Sequence, residues 1–282
     1  AARLALLNPE EMEFDELVEP VETRNIINRQ IDTHGLAVAK RAERYFWELR
    51  IFTIQVLQNR NYFLAERLIV LGMFYQRVQN QIDAGQVEEI PRIIARYTNL
   101  IAGDELRAEL AAIPAQVTIQ MQLMKELADE RMVKGVSSRT YLECFAQFLL
   151  GVQYTEEATV DEVAARYQEA EATYYRPFMA GHEYILENYL VNYVFKNLFP
   201  LGGGKNLFDN YVMMVVHYAL IKMHLIGMAA FNRGLTEEVV IKLIYSFARA
   251  VEHNPPYLRH VLRLLKDNGY DTMAYMAILI KN

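Results

Sequence analysis

The stretch YVMMVVHYALIKMHLIGMAAF, residues 211–231, is the longest apolar segment of the chain. It is close to the length that spans a bilayer, but His217, Lys222 and His224 interrupt it and Asp209 precedes it. The lysine alone adds roughly 2.5–3.5 kcal/mol to the cost of placing such a helix in lipid. We therefore predict a buried helix at the centre of the fold and no insertion into a membrane.

Apolar residues recur at helical spacing along the rest of the chain. Residues 117–123 also alternate at strand spacing, but Val117 and Met121 fall on a helical stripe with Met124 and Ala128. The alternation of strand and helix that is typical of a doubly wound sheet is absent. These patterns predict an all-α, compact domain of about ten to twelve helices with no significant sheet. The main stripes are Tyr45, Leu49, Phe52 and Val56; Leu64, Leu68, Leu71, Tyr75, Val78 and Ile82; Val163, Tyr167, Ala170 and Tyr174; and Val240, Ile244, Phe247 and Val251.

Capping residues mark the ends of several predicted helices. Thr159 and Glu162 have the spacing of a capping box, and Gly234 suits a helix end in the left-handed conformation. Asn254 is pushed out of helical geometry by the proline that follows it, as an N-cap requires. Residues 1–40 are acidic and weakly periodic, so we expect an N-terminal arm and linker there. Residues 41–282 then form the helical domain, with a candidate subdomain break near residues 134–138.

Composition and charge disfavour several classes of protein. With 52% hydrophobic and 23% charged residues, the chain has an ordinary globular balance. Its formal net charge of −6 argues against a nucleic-acid partner and suits a basic partner or a cationic side chain as substrate. Cys144 is the single cysteine, so this chain alone forms neither an internal disulfide nor a cysteine-ligated cluster. We predict that Cys144 is a buried, inert thiol.

Three further patterns are weak. The glycines at 202–204 precede Lys205, but they lack the spacing and the preceding strand of a phosphate-binding loop. The paired-histidine pattern of zinc enzymes is absent, so we predict no metal site. His217 and His224 lie two turns apart and could approach one ligand together. The preferred interpretation of each is a core histidine bonded to a neighbouring carbonyl.

The segment 182–193 is the first candidate for a binding site. Glu183 and Glu187 share a helix face, and Tyr189 and Tyr193 form a second pair at the same spacing. Two carboxylates beside phenol rings suit a lysine ammonium, whose charge and methylene groups they can hold. The alternative, which the residues alone favour, is an amphipathic helix with solvated glutamates and tyrosines at its rim. The candidate substrate-binding residues are Glu183, Glu187, Asn188, Tyr189, Asn192, Tyr193 and, from a later segment, Tyr257.

The second candidate is VEHNPPYLRH, residues 251–260, which crosses a forced helix boundary. His253 lies at the corner, where it could accept a proton with Glu252 or His260 tuning its basicity. His253 and Glu252 are therefore our candidate catalytic residues. In the structural alternative Asn254 is only a cap, Glu252 pairs with a nearby arginine and His253 fills the corner. The residues leave these two interpretations equally open.

Four strings in one order resemble the bacterial flagellin lysine-N-methylase family. They are ARLALLNPE at 2–10, YFWELR at 45–50, LENYLVNY at 186–193 and EHNPPYLRH at 252–260. The resemblance covers essentially the whole chain. It implies a cytoplasmic enzyme that methylates lysine side chains of flagellin before export, with S-adenosylmethionine as methyl donor.

The chain departs from that family in one respect. Members carry an upstream cysteine-rich segment associated with an iron–sulfur cluster, which ends just before the stretch that resembles residues 1–4. We therefore expect this chain to be the C-terminal portion, with the cluster only in the missing segment. In one hypothesis Glu187, Tyr189 and Tyr193 capture the substrate ammonium, while His253 and Glu252 handle its proton. In the alternative this portion is a non-catalytic helical module that only binds flagellin, and the missing segment supplies donor binding and chemistry.

Overall fold

The computed structural model describes residues 6–9, 31–35, 41–123, 126, 138–155, 157–203 and 206–282. Most of the predicted arm at 1–40 lies outside these residues. The predicted break at 134–138 also lies outside them, except for Ser138. Both domain boundaries therefore stay predictions.

Twelve α-helices are complete within the described ranges, and those ranges contain no strand. Residues 117–123 are helical as well. The predicted all-α class and the number of helices are thus confirmed. The helices are α1 (Phe46–Leu57), α2 (Leu64–Asp83), α3 (Ile90–Ala102), α4 (Arg107–Ala112), α5 (Arg139–Gly151), α6 (Val160–Ala170), α7 (Arg176–His182), α8 (Tyr184–Lys196), α9 (Leu207–Asn232), α10 (Glu237–Phe247), α11 (Pro255–Asp267) and α12 (Met273–Ile280).

Helix α9 lies at the centre and packs against α2, α5, α6, α10 and α12. Its length and composition would allow it to cross a membrane, but 94% of its most apolar 18-residue stretch is buried inside the protein. A helix that is apolar on all sides is stable in this position because every face meets another helix. The predicted central buried helix is confirmed.

Helices α5 and α9 pack closely against each other at two glycines. A Cβ atom on Gly227 would lie 2.5 Å from the ring of Phe148 and 2.7 Å from its carbonyl oxygen. A Cβ atom on Gly151 would lie 1.8 Å from the carbonyl oxygen of Gly227. Since carbon atoms do not approach other heavy atoms so closely, only glycine allows this crossing.

The helix ends largely follow the predicted caps. Thr159 and Glu162 form the reciprocal capping box, and Asn254 accepts a hydrogen bond from the backbone N–H of Tyr257 at 3.1 Å. The left-handed residue at the end of α9 is Arg233, with φ 55°, and Gly234 follows with φ 146°. The predicted cap at Gly234 was therefore one residue too late.

Two π-helical segments interrupt this pattern, at Glu171–Tyr175 and at Ala248–Glu252. The first joins α6 to α7, so the backbone stays helical from one helix to the next. Pro177 follows it closely and has no backbone N–H to continue α-helical hydrogen bonding. A π segment rotates the residues after it around the helix axis, and such segments occur frequently at functional sites. This one places Glu171 and Tyr175 on the wall of the cavity described next.

Candidate functional site

A cavity of about 800 Å³ lies between the start of α2, the segment from Glu171 through α7, the start of α8, and α9. Its volume suits a small molecule or a long side chain. Six basic and four acidic side chains line it among the described residues. These are Arg60, Arg67, Arg107, Arg176, Lys222 and Lys281, and Glu66, Glu171, Glu183 and Glu187.

Glu187 is held on the cavity wall by two arginines. One of its oxygens accepts a hydrogen bond from Arg67 at 2.7 Å, and Arg60 donates to both oxygens at 2.8–3.2 Å. Glu187 is 1% exposed and Arg67 is 3% exposed, so neither charge is solvated by bulk water. Arg67 also donates to the carbonyl oxygens of Leu57 and Tyr62, each at 2.7 Å. The negative charge of Glu187 is therefore already compensated within the protein.

Glu183 lies one helical turn earlier and is more accessible. It accepts hydrogen bonds from Arg67 at 3.1 Å and from the backbone N–H of Leu64 at 3.0 Å. Its side chain remains 34% exposed. Burial raises the pKa of this carboxyl, although the Leu64 N–H and Arg67 oppose the change. Glu183 thus takes up a proton more readily than an ordinary solvated glutamate.

Lys222 brings a buried cation from the centre of α9 to the cavity. It is 6% exposed, and its Nζ donates to the carbonyl oxygen of Ile280 at 2.8 Å. Burial lowers its pKa to about 8, while Glu171 and Glu183 act in the opposite direction. Tyr218, one turn away, lies beneath the ammonium with 5.8 Å between Nζ and the ring centroid. The lysine thus sits in a poorly solvated environment with incomplete charge compensation.

Residues 50–279 match the family model of the FliB lysine N-methylase C-terminal domain. The chain belongs to this family. The resemblance predicted from the sequence is therefore confirmed over those residues. No curated protein and no solved structure is significantly similar to the chain. Apart from Lys281 and Asn282, every residue that lines the cavity lies inside the matched range.

The fold separates the predicted binding residues onto two sides of α8. Glu183 and Glu187 line the cavity, whereas the Tyr189 hydroxyl donates to Glu252 in the π segment before α11 and the centroid of the Tyr193 ring lies 5.1 Å from that of His217. On an α-helix, positions 187 and 189 point about 200° apart. The structure therefore does not bring Glu187 together with the two tyrosines. Their roles in substrate binding stay predictions.

Glu252 is the centre of the second polar cluster. It accepts hydrogen bonds from the hydroxyl of Tyr189 and from Nζ of Lys196, both at 2.6 Å. Burial favours a higher pKa for this carboxyl, but His217, Lys196 and Tyr189 together hold its pKa below the usual value. The sequence alternative that paired Glu252 with a nearby arginine was wrong, because Lys196 on α8 is its cationic partner.

His253 is exposed, and neither it nor Glu252 lines the cavity. The backbone N–H of His253 ends the π segment by donating to Ala248 at 3.1 Å. The structure places the two candidate catalytic residues on the far side of α8 from Glu187. Catalysis by His253 and Glu252 stays a prediction.

The remaining candidates also lie away from the cavity. Asn188 donates to the carbonyl oxygens of Leu6 and Asn8, at 3.3 and 2.8 Å, and so holds the N-terminal segment against α8. Asn192 is exposed, and Tyr257 is a buried member of the core. None of these three is among the residues that line the cavity.

The structure confirms the core interpretation of the two histidines on α9. The Nδ1 atom of His217 lies 2.6 Å from the carbonyl oxygen of Met213, and that of His224 lies 2.7 Å from the carbonyl oxygen of Leu220. Burial lowers the pKa of both rings, that of His224 to about 4. Both histidines are therefore neutral at physiological pH.

The residues present do not fit an iron–sulfur cluster. Cys144 is buried beside Ser246, and burial raises the pKa of its thiol. One thiol does not supply the four ligands that such clusters ordinarily use. Within the described part of the chain, no group of three or more His, Cys, Asp or Glu residues could hold a metal ion.

Sequence reasoning missed most of the charged cavity wall. Four of the residues that line the cavity were not predicted from the sequence: Arg60, Arg67, Glu171 and Lys222. Two signals were present: Arg67 stands directly before Leu68 in the apolar stripe of α2, and Lys222 stands inside the longest apolar segment. A charge at a core position is costly unless it is paired or used. Such positions therefore mark candidate sites even without a motif.

Proposed function

We propose that this chain is the C-terminal part of a protein-lysine N-methyltransferase that methylates flagellin in the cytoplasm, with S-adenosylmethionine as methyl donor. The match to the methylase family over residues 50–279 is the observation that carries the proposal. The cavity is the proposed meeting place of donor and substrate lysine. Its volume is sufficient for both the donor and the end of a lysine side chain.

The chemistry requires a neutral lysine amine, because a protonated ammonium has no lone pair to attack a methyl group. The donor supplies an electrophilic methyl group on a sulfonium. A lysine in water has a pKa near 10.4 and is almost entirely protonated at neutral pH. The cavity environment lowers the pKa of its own Lys222 to about 8 by burial. A substrate lysine in the same environment would lose its proton more easily for the same reason.

Glu183 is the proposed proton acceptor in the cavity. Its raised pKa and partial exposure suit a group that takes a proton from an incoming ammonium. Glu187 is less suitable, since Arg60 and Arg67 occupy both of its oxygens. Its proposed role is to hold the arginines and the start of α2 in place.

The test is methylation of flagellin by the intact enzyme, followed by mass spectrometry of the modified lysines. We expect Glu183→Gln to slow methylation by about 10²–10⁴-fold, the usual contribution of a general base. Glu143→Gln removes an exposed carboxylate on α5 and is the matched control, with an unchanged rate expected. A Glu183→Gln variant as fast as the control refutes the role of Glu183. In the same assay, a strong effect of His253→Ala would favour the junction at 252–253 instead.

The non-catalytic alternative is separated from this proposal by calorimetry on the chain. Binding of S-adenosylmethionine, or of its product S-adenosylhomocysteine, supports a donor site in this domain. Binding of flagellin without either small molecule would favour a module that only recognises the substrate.

A further inference from the structure

One buried part of the cavity wall carries hydrogen-bond donors that the protein leaves without acceptors. We call Tyr175, Tyr218 and Lys222 the buried wall; each is buried, and each lines the cavity. The Lys222 ammonium has three N–H donors, yet Ile280 supplies its single acceptor among the described residues. Within the same residues the hydroxyls of Tyr175 and Tyr218 have no hydrogen-bond partner. The buried wall therefore offers several donors to whatever occupies the cavity.

The buried wall also lacks an anion of its own. Glu171 and Glu183 act on Lys222 electrostatically, but each is already bound by an arginine. Arg176 holds Glu171 at 2.5 and 3.1 Å, and Arg67 holds Glu183 at 3.1 Å. In the part of the chain that the structure describes, neither carboxylate comes within 4.0 Å of Lys222 Nζ. A buried cation in this state is costly, and a bound anion would offset that cost.

We propose that the buried wall binds the carboxylate of an α-amino acid head group, namely that of the methyl donor; this inference rests on the proposed function. A carboxylate has two oxygens that each accept hydrogen bonds, so the Lys222 ammonium and the two phenol hydroxyls are suitable donors for it. Burial raises the pKa of both tyrosines, so their hydroxyls keep the protons that they donate. The donor has a single carboxylate, at the end of its amino-acid part.

Calorimetry with two ligands isolates this contact. S-Adenosylhomocysteine carries the amino-acid part, and 5′-methylthioadenosine lacks it. We expect Lys222→Met to weaken binding of the first roughly 10–100-fold, as for loss of a charge-assisted hydrogen bond. Binding of the second should stay the same. Lys281→Met is the matched control, because Lys281 also lines the cavity but donates to the carbonyl of Leu110.

Proton uptake by the unmodified protein provides a readout that does not depend on a variant. With a pKa of about 8, Lys222 is half neutral at pH 8. Glu171 and Glu183 raise this pKa and Arg176 lowers it, while Tyr218 on the same helix keeps its proton. A bound carboxylate raises the pKa of Lys222 further, so the protein takes up as much as about half a proton for each ligand that binds at pH 8. The buffer dependence of the binding enthalpy measures that uptake, and we expect none with 5′-methylthioadenosine.

The outcomes separate this inference from the proposed function. If the unmodified protein binds neither small molecule, the donor site of the proposed function is wrong and this inference fails with it. If the unmodified protein binds both small molecules, either of two results refutes the inference alone. The first is that no proton is taken up on binding. The second is that Lys222→Met, with unchanged helicity, weakens the binding of both ligands equally. If that variant loses flagellin binding but keeps S-adenosylhomocysteine, the carboxylate comes from the protein substrate, which also overturns the inference.

Discussion

Replacing Glu187 by glutamine tests whether this residue serves mainly to form the buried ion pair with Arg67, and not to take part in catalysis. Glutamine keeps the shape of the side chain and removes its charge. Arg67 is 3% exposed, so its guanidinium cannot recover the lost interaction from water. It keeps Glu183 and two carbonyl oxygens as partners. Removal of one member of a buried pair costs about 3–5 kcal/mol, and the remaining partners place this case near 3 kcal/mol.

The measurement is thermal unfolding followed by helical circular dichroism. For a chain of this size, about 3 kcal/mol corresponds to a fall of roughly 6–12 °C in the unfolding midpoint. Glu143→Gln is the matched control, since its partners Lys242 and Arg139 are on the surface. Water and salt screen an exposed pair of that kind, so we expect Glu143→Gln to leave the unfolding midpoint nearly unchanged.

The double variant Arg67→Met, Glu187→Leu sharpens the test. It removes both buried charges, so it should recover much of the stability that Glu187→Gln loses. The reasoning is refuted if Glu187→Gln unfolds at the same temperature as Glu143→Gln. It is also refuted if the destabilisation of the double variant equals the sum of those of Arg67→Met and Glu187→Leu measured singly, because the residues would then act independently.

Two further predictions concern α9. Gly227→Ala should lower the free energy of unfolding by about 1–3 kcal/mol, because the new Cβ meets Phe148. Gly181→Ala, whose Cβ would have nothing within 4 Å, should instead stabilise its helix by about 0.5–1 kcal/mol. Equal unfolding midpoints of the two variants would contradict this. The pKa of His224 is lowered to about 4 in the folded protein. The stability that the neutral ring contributes is therefore present above pH 6.5 and is lost as the pH falls toward 4. The total loss is about 3 kcal/mol. His224→Phe should flatten that part of the stability curve between pH 7 and pH 4, and an unchanged slope would show that the histidine is not the cause.

The helices could be predicted from the sequence because their causes are local. Apolar spacing is repeated within each helix, and caps such as Thr159 and Asn254 stand within three residues of the groups that they bind. The burial of α9 was also predictable, since a lysine and two histidines in an apolar segment disfavour lipid. The family followed from strings of residues that are close in sequence. All of these inferences use information from neighbouring positions.

The site could not be predicted in the same way, because its contacts join residues far apart in the chain. Glu187 meets Arg67 across 120 positions, and Tyr189 meets Glu252 across 63. The sequence placed Glu187 and Tyr189 in one group because they are neighbours on one helix. Only the packing of different helices on the two faces of α8 assigned them to separate clusters.

By itself, the sequence of this chain determined a helical fold with a buried centre and membership of the methylase family. Tertiary structure decided which charges are compensated and which remain available. The reason is that the free energy of a buried charge depends on what surrounds it. Lys222 acquires its neighbours from the π segment before α7, from the start of α8 and from α12 only when the chain is folded.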